Sequence, residues 1–105
     1  MKLEIIWSKF AEKQLDEIFE YYFENASPKV AKELLENLLA EPNRLINNPT
    51  MGQIEILLKE RKTTYRYLIF KNYKIIYSID PKKRFIKIAD VFDTRQNPSK
   101  IERSD

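Results

Sequence analysis

The chain contains no cysteine and no histidine. Disulfides, thiolate nucleophiles, Cys/His zinc sites and Ser-His or Cys-His pairs are therefore excluded. Any proton transfer at neutral pH falls to Lys, Arg, Tyr, Asp or Glu. One glycine in 105 residues argues against glycine-rich phosphate loops and leaves one turn that can draw on glycine for positive φ. No apolar run approaches the roughly 18 residues of a membrane span. The N-terminal MKLEIIW is too short and too acidic for a secretory signal. These absences lead us to expect a soluble cytoplasmic protein with no cofactor, no metal and no membrane partner.

What is present fits a single domain over residues 1–105. Hydrophobic residues make up 43%, with six Phe, six Tyr and one Trp, enough for one modest core. The net charge of +3 is unevenly spread. Residues 1–58 carry six Lys/Arg against ten Asp/Glu, a net of −4, and residues 59–105 carry thirteen against six, a net of +7. A basic half fits an anionic partner, either nucleic acid or an acidic protein segment, or else a lysine-protected sheet edge.

Periodicity orders the elements. Lys2 to Trp7 reads as a short strand, and Ser8 offers a capping hydroxyl. Phe10, Ala11, Leu15, Ile18, Phe19, Tyr22 and Phe23 then form one helical stripe, ending near Glu24 or Asn25. Ser27-Pro28 opens a second helix with the stripe Val30, Ala31, Leu34, Leu35, Leu38 and Leu39. A loop of about three residues makes the pair an antiparallel hairpin. Pro42 predicts a kink or break around Leu39–Glu41, then a further turn with Leu45 and Ile46. Asn47-Asn48-Pro49 closes it, and Thr50-Met51-Gly52 turns.

The remainder reads as strands: Thr63 to Phe70, a tight hairpin at Lys71-Asn72, Tyr73 to Ile79, a type I turn over Asp80-Pro81-Lys82-Lys83, and Arg84 to Asp93. Gln53 to Lys62 is ambiguous, an irregular extension into the sheet. The expected fold is α+β (β-α-α-β-β-β). It has an N-terminal strand, then an antiparallel helical hairpin packed on one face of a small, mainly antiparallel β-sheet. The sheet's other face is expected to be partly open.

One stretch raises a functional question. IADVFDTRQNP, residues 88–98, begins as a strand and ends in Asn-Pro, with Arg95 where the strand runs out. The arginine is either a strand-end ion partner of Asp93 or Asp90, or the working residue of a site.

The β-α-α-β-β-β order resembles the RelE/ParE superfamily of bacterial toxins from type II toxin–antitoxin modules. The motifs that carry the likeness are SKFAEKQLDEIFEYY, Asn48-Pro49 with Gly52, TYRYLIFKNYKIIYSID and IADVFDTRQNP, over roughly residues 3 to 98. Their order and spacing carry the inference, not any single motif. The resemblance implies a growth-inhibiting toxin held silent by a cognate antitoxin, of the kind that stabilises plasmids.

Two branches of that superfamily differ in target. RelE-like members cleave mRNA on the ribosome, and ParE-like members inhibit DNA gyrase. A RelE-like endoribonuclease must take the proton of a ribose 2′-hydroxyl and place positive charge on the developing phosphorane. By resemblance, Arg95 matches the arginine after the last strand. Lys74 stands where RelE-like members usually carry arginine, and lysine cannot grip a phosphate bidentately. Arg66 is a further candidate. Lys59, Arg61 and Lys62 lie where RelE-like members place substrate-binding lysines, and Tyr77 joins them as a target contact. No histidine is present, and no tyrosine follows Arg95 to match the one RelE carries in its tail. These departures, with a helical hairpin of ParE-like length, place the chain closer to the ParE-like branch. A third reading is a non-toxic relative that only binds an antitoxin. Each candidate also has a structural reading: Lys74 and Arg66 as strand charges beside core residues, the strand tyrosines as cross-strand packing, and residues 59–62 as a solvated loop.

Overall fold

The computed structural model describes residues 2–103. Strand β1 (Glu4–Trp7) leads into helix α1 (Lys9–Asn25), and α2 (Pro28–Ala40) follows. The Ser8 hydroxyl accepts the Ala11 N–H at 3.0 Å and donates to the Ala89 carbonyl at 3.2 Å, so the cap also ties α1 to the sheet. Ser27 accepts the Val30 N–H at 3.1 Å, with proline at the first helical position of α2. The break expected at Pro42 is a change of helix type: α2 stops at Ala40 and a 3-10 helix runs Glu41–Leu45, with Pro42 buried.

After a 3-10 turn at Pro49–Met51 come β2 (Gln53–Ile54), a 3-10 turn at Ile56–Leu58, β3 (Arg66–Phe70), β4 (Tyr73–Asp80) and β5 (Phe85–Asp93). Together they form one five-stranded sheet of order β1-β5-β4-β3-β2, antiparallel except that β1 runs parallel to β5. The expected α+β arrangement is therefore present, with β1 placed against the last strand. A C-terminal 3-10 helix, Pro98–Arg103, completes the described chain.

A bulge divides β5. Ile76 stands opposite Asp90 and Tyr77 opposite Ile88, so Ala89 has no partner on β4. The extra residue reverses the side-chain alternation. Ile86 and Ile88 face the helices before it, and Val91 does so after it. Ala89 and Phe92 turn to the opposite face.

Two apolar clusters result. The larger lies between the helices and the sheet, where Ala11, Leu15, Leu34, Leu38 and Leu45 meet Leu68, Tyr73, Ile75, Tyr77, Ile86 and Ile88. Each large side chain fully buried there contributes about 1.5–3 kcal/mol. The smaller cluster fills part of the sheet's second face, the one expected to be partly open. Leu58, Ile76, Ala89, Phe92 and Ile101 pack together there, with Tyr65 and Tyr67 against them. The 3-10 segments at 56–58 and 98–103 supply Leu58 and Ile101, so the chain covers part of its own second face.

The single glycine has a different use from the expected one. Gly52 has φ −72°, and the left-handed residues are Lys71 (φ 53°) and Arg84 (φ 58°) at the two hairpin turns. Gly52 is needed for close approach. A Cβ there would lie 2.5 Å from the Tyr77 hydroxyl and 2.7 Å from the Tyr67 carbonyl oxygen.

Candidate functional site

Arg95 sits where β5 meets the β3–β4 hairpin loop. The Thr94 N–H and hydroxyl both donate to the Asn72 carbonyl, at 2.8 and 2.9 Å. The Asn72 amide donates to Asp93 at 3.2 Å. Asp93 accepts the Arg95 backbone N–H at 2.9 Å, and its two oxygens take the guanidinium at 3.0 and 2.8 Å. Arg95 holds the Asp93 carboxyl down at about 2, while Asp93 raises the guanidinium. The Arg95 side chain is 64% exposed, so solvent screens the pair and it adds little to stability.

Beside it a cleft of about 550 Å³ runs between α1 and the end of β5, lined by Gln14, Glu17, Ile18, Tyr21, Tyr22, Arg95, Gln96 and Arg103, among others. Tyr73 lies at its floor. Burial pushes the Tyr73 phenol well above its ordinary value, and the neighbouring Tyr22 hydroxyl adds to the shift. This phenol stays protonated at neutral pH, so it can donate a hydrogen bond there but cannot serve as a base.

The other sequence candidates are dispersed. Lys74 lies on the second face, 2.7 Å from Glu55 and 4.3 Å from the Tyr67 ring centroid. Glu55 is 3% exposed, so Lys74 neutralises a buried carboxylate. Arg66 alternates to the helix face with Leu68 and caps the carbonyls of Thr50 and Gly52, at 3.2 and 2.9 Å. Tyr77, expected as a target contact, is fully buried. Its hydroxyl accepts the Gly52 N–H at 3.0 Å and donates to the Pro49 carbonyl at 2.7 Å. That location corrects the expectation, because the ring's edge pins the 49–52 turn and has no route to a partner. Arg61 donates to the Glu102 carbonyl at 2.7 Å and stacks over Tyr65. Lys59 and Lys62 are exposed, next to the exposed Ile56 and Leu57.

The structure therefore brings no two of Arg95, Lys74 and Arg66 together. Arg66 and Lys74 point to opposite sides of the sheet, and Arg95 lies beyond its end. Among the described residues no group of three or more carboxylates could hold a metal ion. None of their helices is long and apolar enough to cross a membrane.

The model for the ParE toxin of type II toxin–antitoxin system, parDE, matches residues 5–98. The chain belongs to the ParE toxin family. A solved structure described as the chromosomal ParDE TA system from P. aeruginosa contains a similar chain, with a TM-score of 0.71 at 16% identity over 87% of this chain and 95% of that one. At that identity the likeness is one of fold. A comparison with curated proteins gives no match.

Two features of this ParE-family chain escaped the sequence reading. One is the Lys74–Glu55 pair, whose acid sits in the segment that periodicity left ambiguous. The other is the ion pair of Arg103 with the fully buried Asp90. The bulge at Ala89 hides Asp90 from any period-two pattern. Ile101, a lone apolar residue in a polar tail, was the available signal for the second.

Proposed function

We propose that this chain inhibits bacterial growth by binding DNA gyrase in the cytoplasm, and that a cognate antitoxin neutralises it. Its membership of the ParE toxin family supports the first half. The dispersal of the cations supports gyrase over the ribosome. A 2′-hydroxyl cleavage needs its proton acceptor and its phosphate-binding charge within hydrogen-bond reach of one reacting centre. Arg66 and Lys74 occupy opposite faces, each engaged with a partner in its own chain. Lys59, Arg61 and Lys62, beside the exposed apolar Ile56 and Leu57, form the target contact in this reading. They match an interface in which apolar anchors are rimmed by charge.

Pulse-labelling of DNA and protein synthesis, minutes after induction of the chain without its antitoxin, tests the proposal. DNA synthesis stopping first, with a DNA-damage response, is the expected result. Translation stopping first would overturn it in favour of ribosome-dependent mRNA cleavage. If neither stops, the chain is a non-toxic relative. Co-expression of a cognate antitoxin should restore growth.

A further inference from the structure

The C-terminal 3-10 helix is held to the sheet through Ile101 and Arg103. Pro98, Ser99, Lys100 and Glu102 are exposed. Ile101 is 1% exposed and fills the second apolar cluster. Two residues on, the Arg103 guanidinium donates to both oxygens of Asp90 at 3.1 and 3.2 Å. It lies over the Phe92 and Phe10 rings, 5.1 and 5.5 Å from their centroids. Arg61 also donates to the Glu102 carbonyl.

The walls of this site belong to elements that the tail does not build. Asp90 and Phe92 lie on β5, held in register by β4. Phe10 lies in the first turn of α1, whose cap is fixed to Ala89. Asp90 is 0% exposed, and a buried carboxylate without a cation is strongly unfavourable. Burial raises the Asp90 carboxyl and the Arg103 guanidinium opposes that shift, so a cation here favours the ionised form, and two aromatic faces select a planar cation over an ammonium. Such a site exchanges its occupant more readily than it empties. Arg103 also lines the cleft beside α1, so an incoming chain can reach it from solvent.

We propose that Asp90, Phe92 and Phe10 form a guanidinium site. Its present occupant, the Ile101-x-Arg103 segment, is an exchangeable ligand in cis, and a partner segment with the same apolar-x-arginine spacing takes its place. The apolar residue would enter between Leu58, Ile76 and Ala89, and the arginine would meet Asp90. Guanidinium geometry sets the specificity: an apolar-x-lysine segment carries the same charge but loses the paired hydrogen bonds and the ring stacking.

The test uses the full chain carrying Arg103→Ala and a fluorescein-labelled synthetic peptide of residues 97–105. Fluorescence anisotropy should show saturable binding, at least tenfold tighter than to the wild-type chain, whose own Arg103 competes at high effective concentration. A peptide with alanine in place of the arginine should lose that gain, and so should a receptor that also carries Asp90→Asn. Equal binding of the two peptides, or no gain over wild type, would overturn the proposal. Should Arg103→Ala fail to fold, hydrogen exchange on the wild-type chain decides. Amides of 99–103 exchanging while those of α1 and β4 stay protected fits an exchangeable segment. Exchange of the tail only with global unfolding contradicts it.

Discussion

Arg95 and Lys74 look alike in sequence, as basic residues close to a strand end, yet their surroundings give them opposite physical roles. Arg95 is exposed and grips the half-buried Asp93. The lowered Asp93 carboxyl contributes stability that is present above its unfolded value of about 4 and is lost as pH falls through about 2. An NMR titration of the Asp93 carboxyl should have its midpoint near 2, and Arg95→Ala should return it towards the ordinary aspartate value with little change in melting temperature. Lys74 faces the buried Glu55 instead. Lys74→Ala leaves that carboxylate without its cation, and denaturant unfolding should register a loss of roughly 2–4 kcal/mol. Lys74→Met should cost less in a chain that also carries Glu55→Gln. If Lys74 were a catalytic group, its removal would abolish activity and leave unfolding unchanged.

Burial, not identity, separates these two residues, and burial was the quantity the sequence disclosed unevenly at the scale of single elements. The helices were readable because their apolar stripes have a 3.6-residue period and each begins at a serine cap. The meander was readable because β-branched and aromatic runs alternate between turn residues. The sequence did not disclose the bulge at Ala89, the parallel pairing of β1 with β5, or the return of residues 98–103 across the second face. Those depend on contacts between segments far apart in the chain. The same contrast sets the cost of the caps. Ser8 joins α1 to Ala89 in a partly buried setting, while Ser27 caps α2 in the open. Ser8→Ala should cost about 1–2 kcal/mol in thermal or denaturant unfolding, and Ser27→Ala about 0.5–1 kcal/mol. Equal costs would mean that the Ser8–Ala89 bond contributes nothing.

At the scale of the whole molecule, the sheet separates two unlike surfaces. The helix side holds the main core, with the Arg95 cleft at its margin. The other side holds the small cluster closed by the C-terminal segment, next to the exposed Ile56, Leu57, Lys59 and Lys62. The family resemblance was legible in motif order, and the match to the ParE toxin family bears it out. The site residues were less legible, because a basic residue in a strand gives the same sequence signal whether it faces a carboxylate, a carbonyl or a substrate. A binding inhibitor needs no convergent cations, only a surface, and that is what the dispersed Arg95, Lys74 and Arg66 leave available. The decisive measurement is DNA supercoiling by purified gyrase with increasing amounts of this chain. Inhibition should saturate near stoichiometric toxin and disappear when antitoxin is added first. Unimpaired supercoiling, alongside cleavage of mRNA on purified ribosomes by the same preparation, would contradict it.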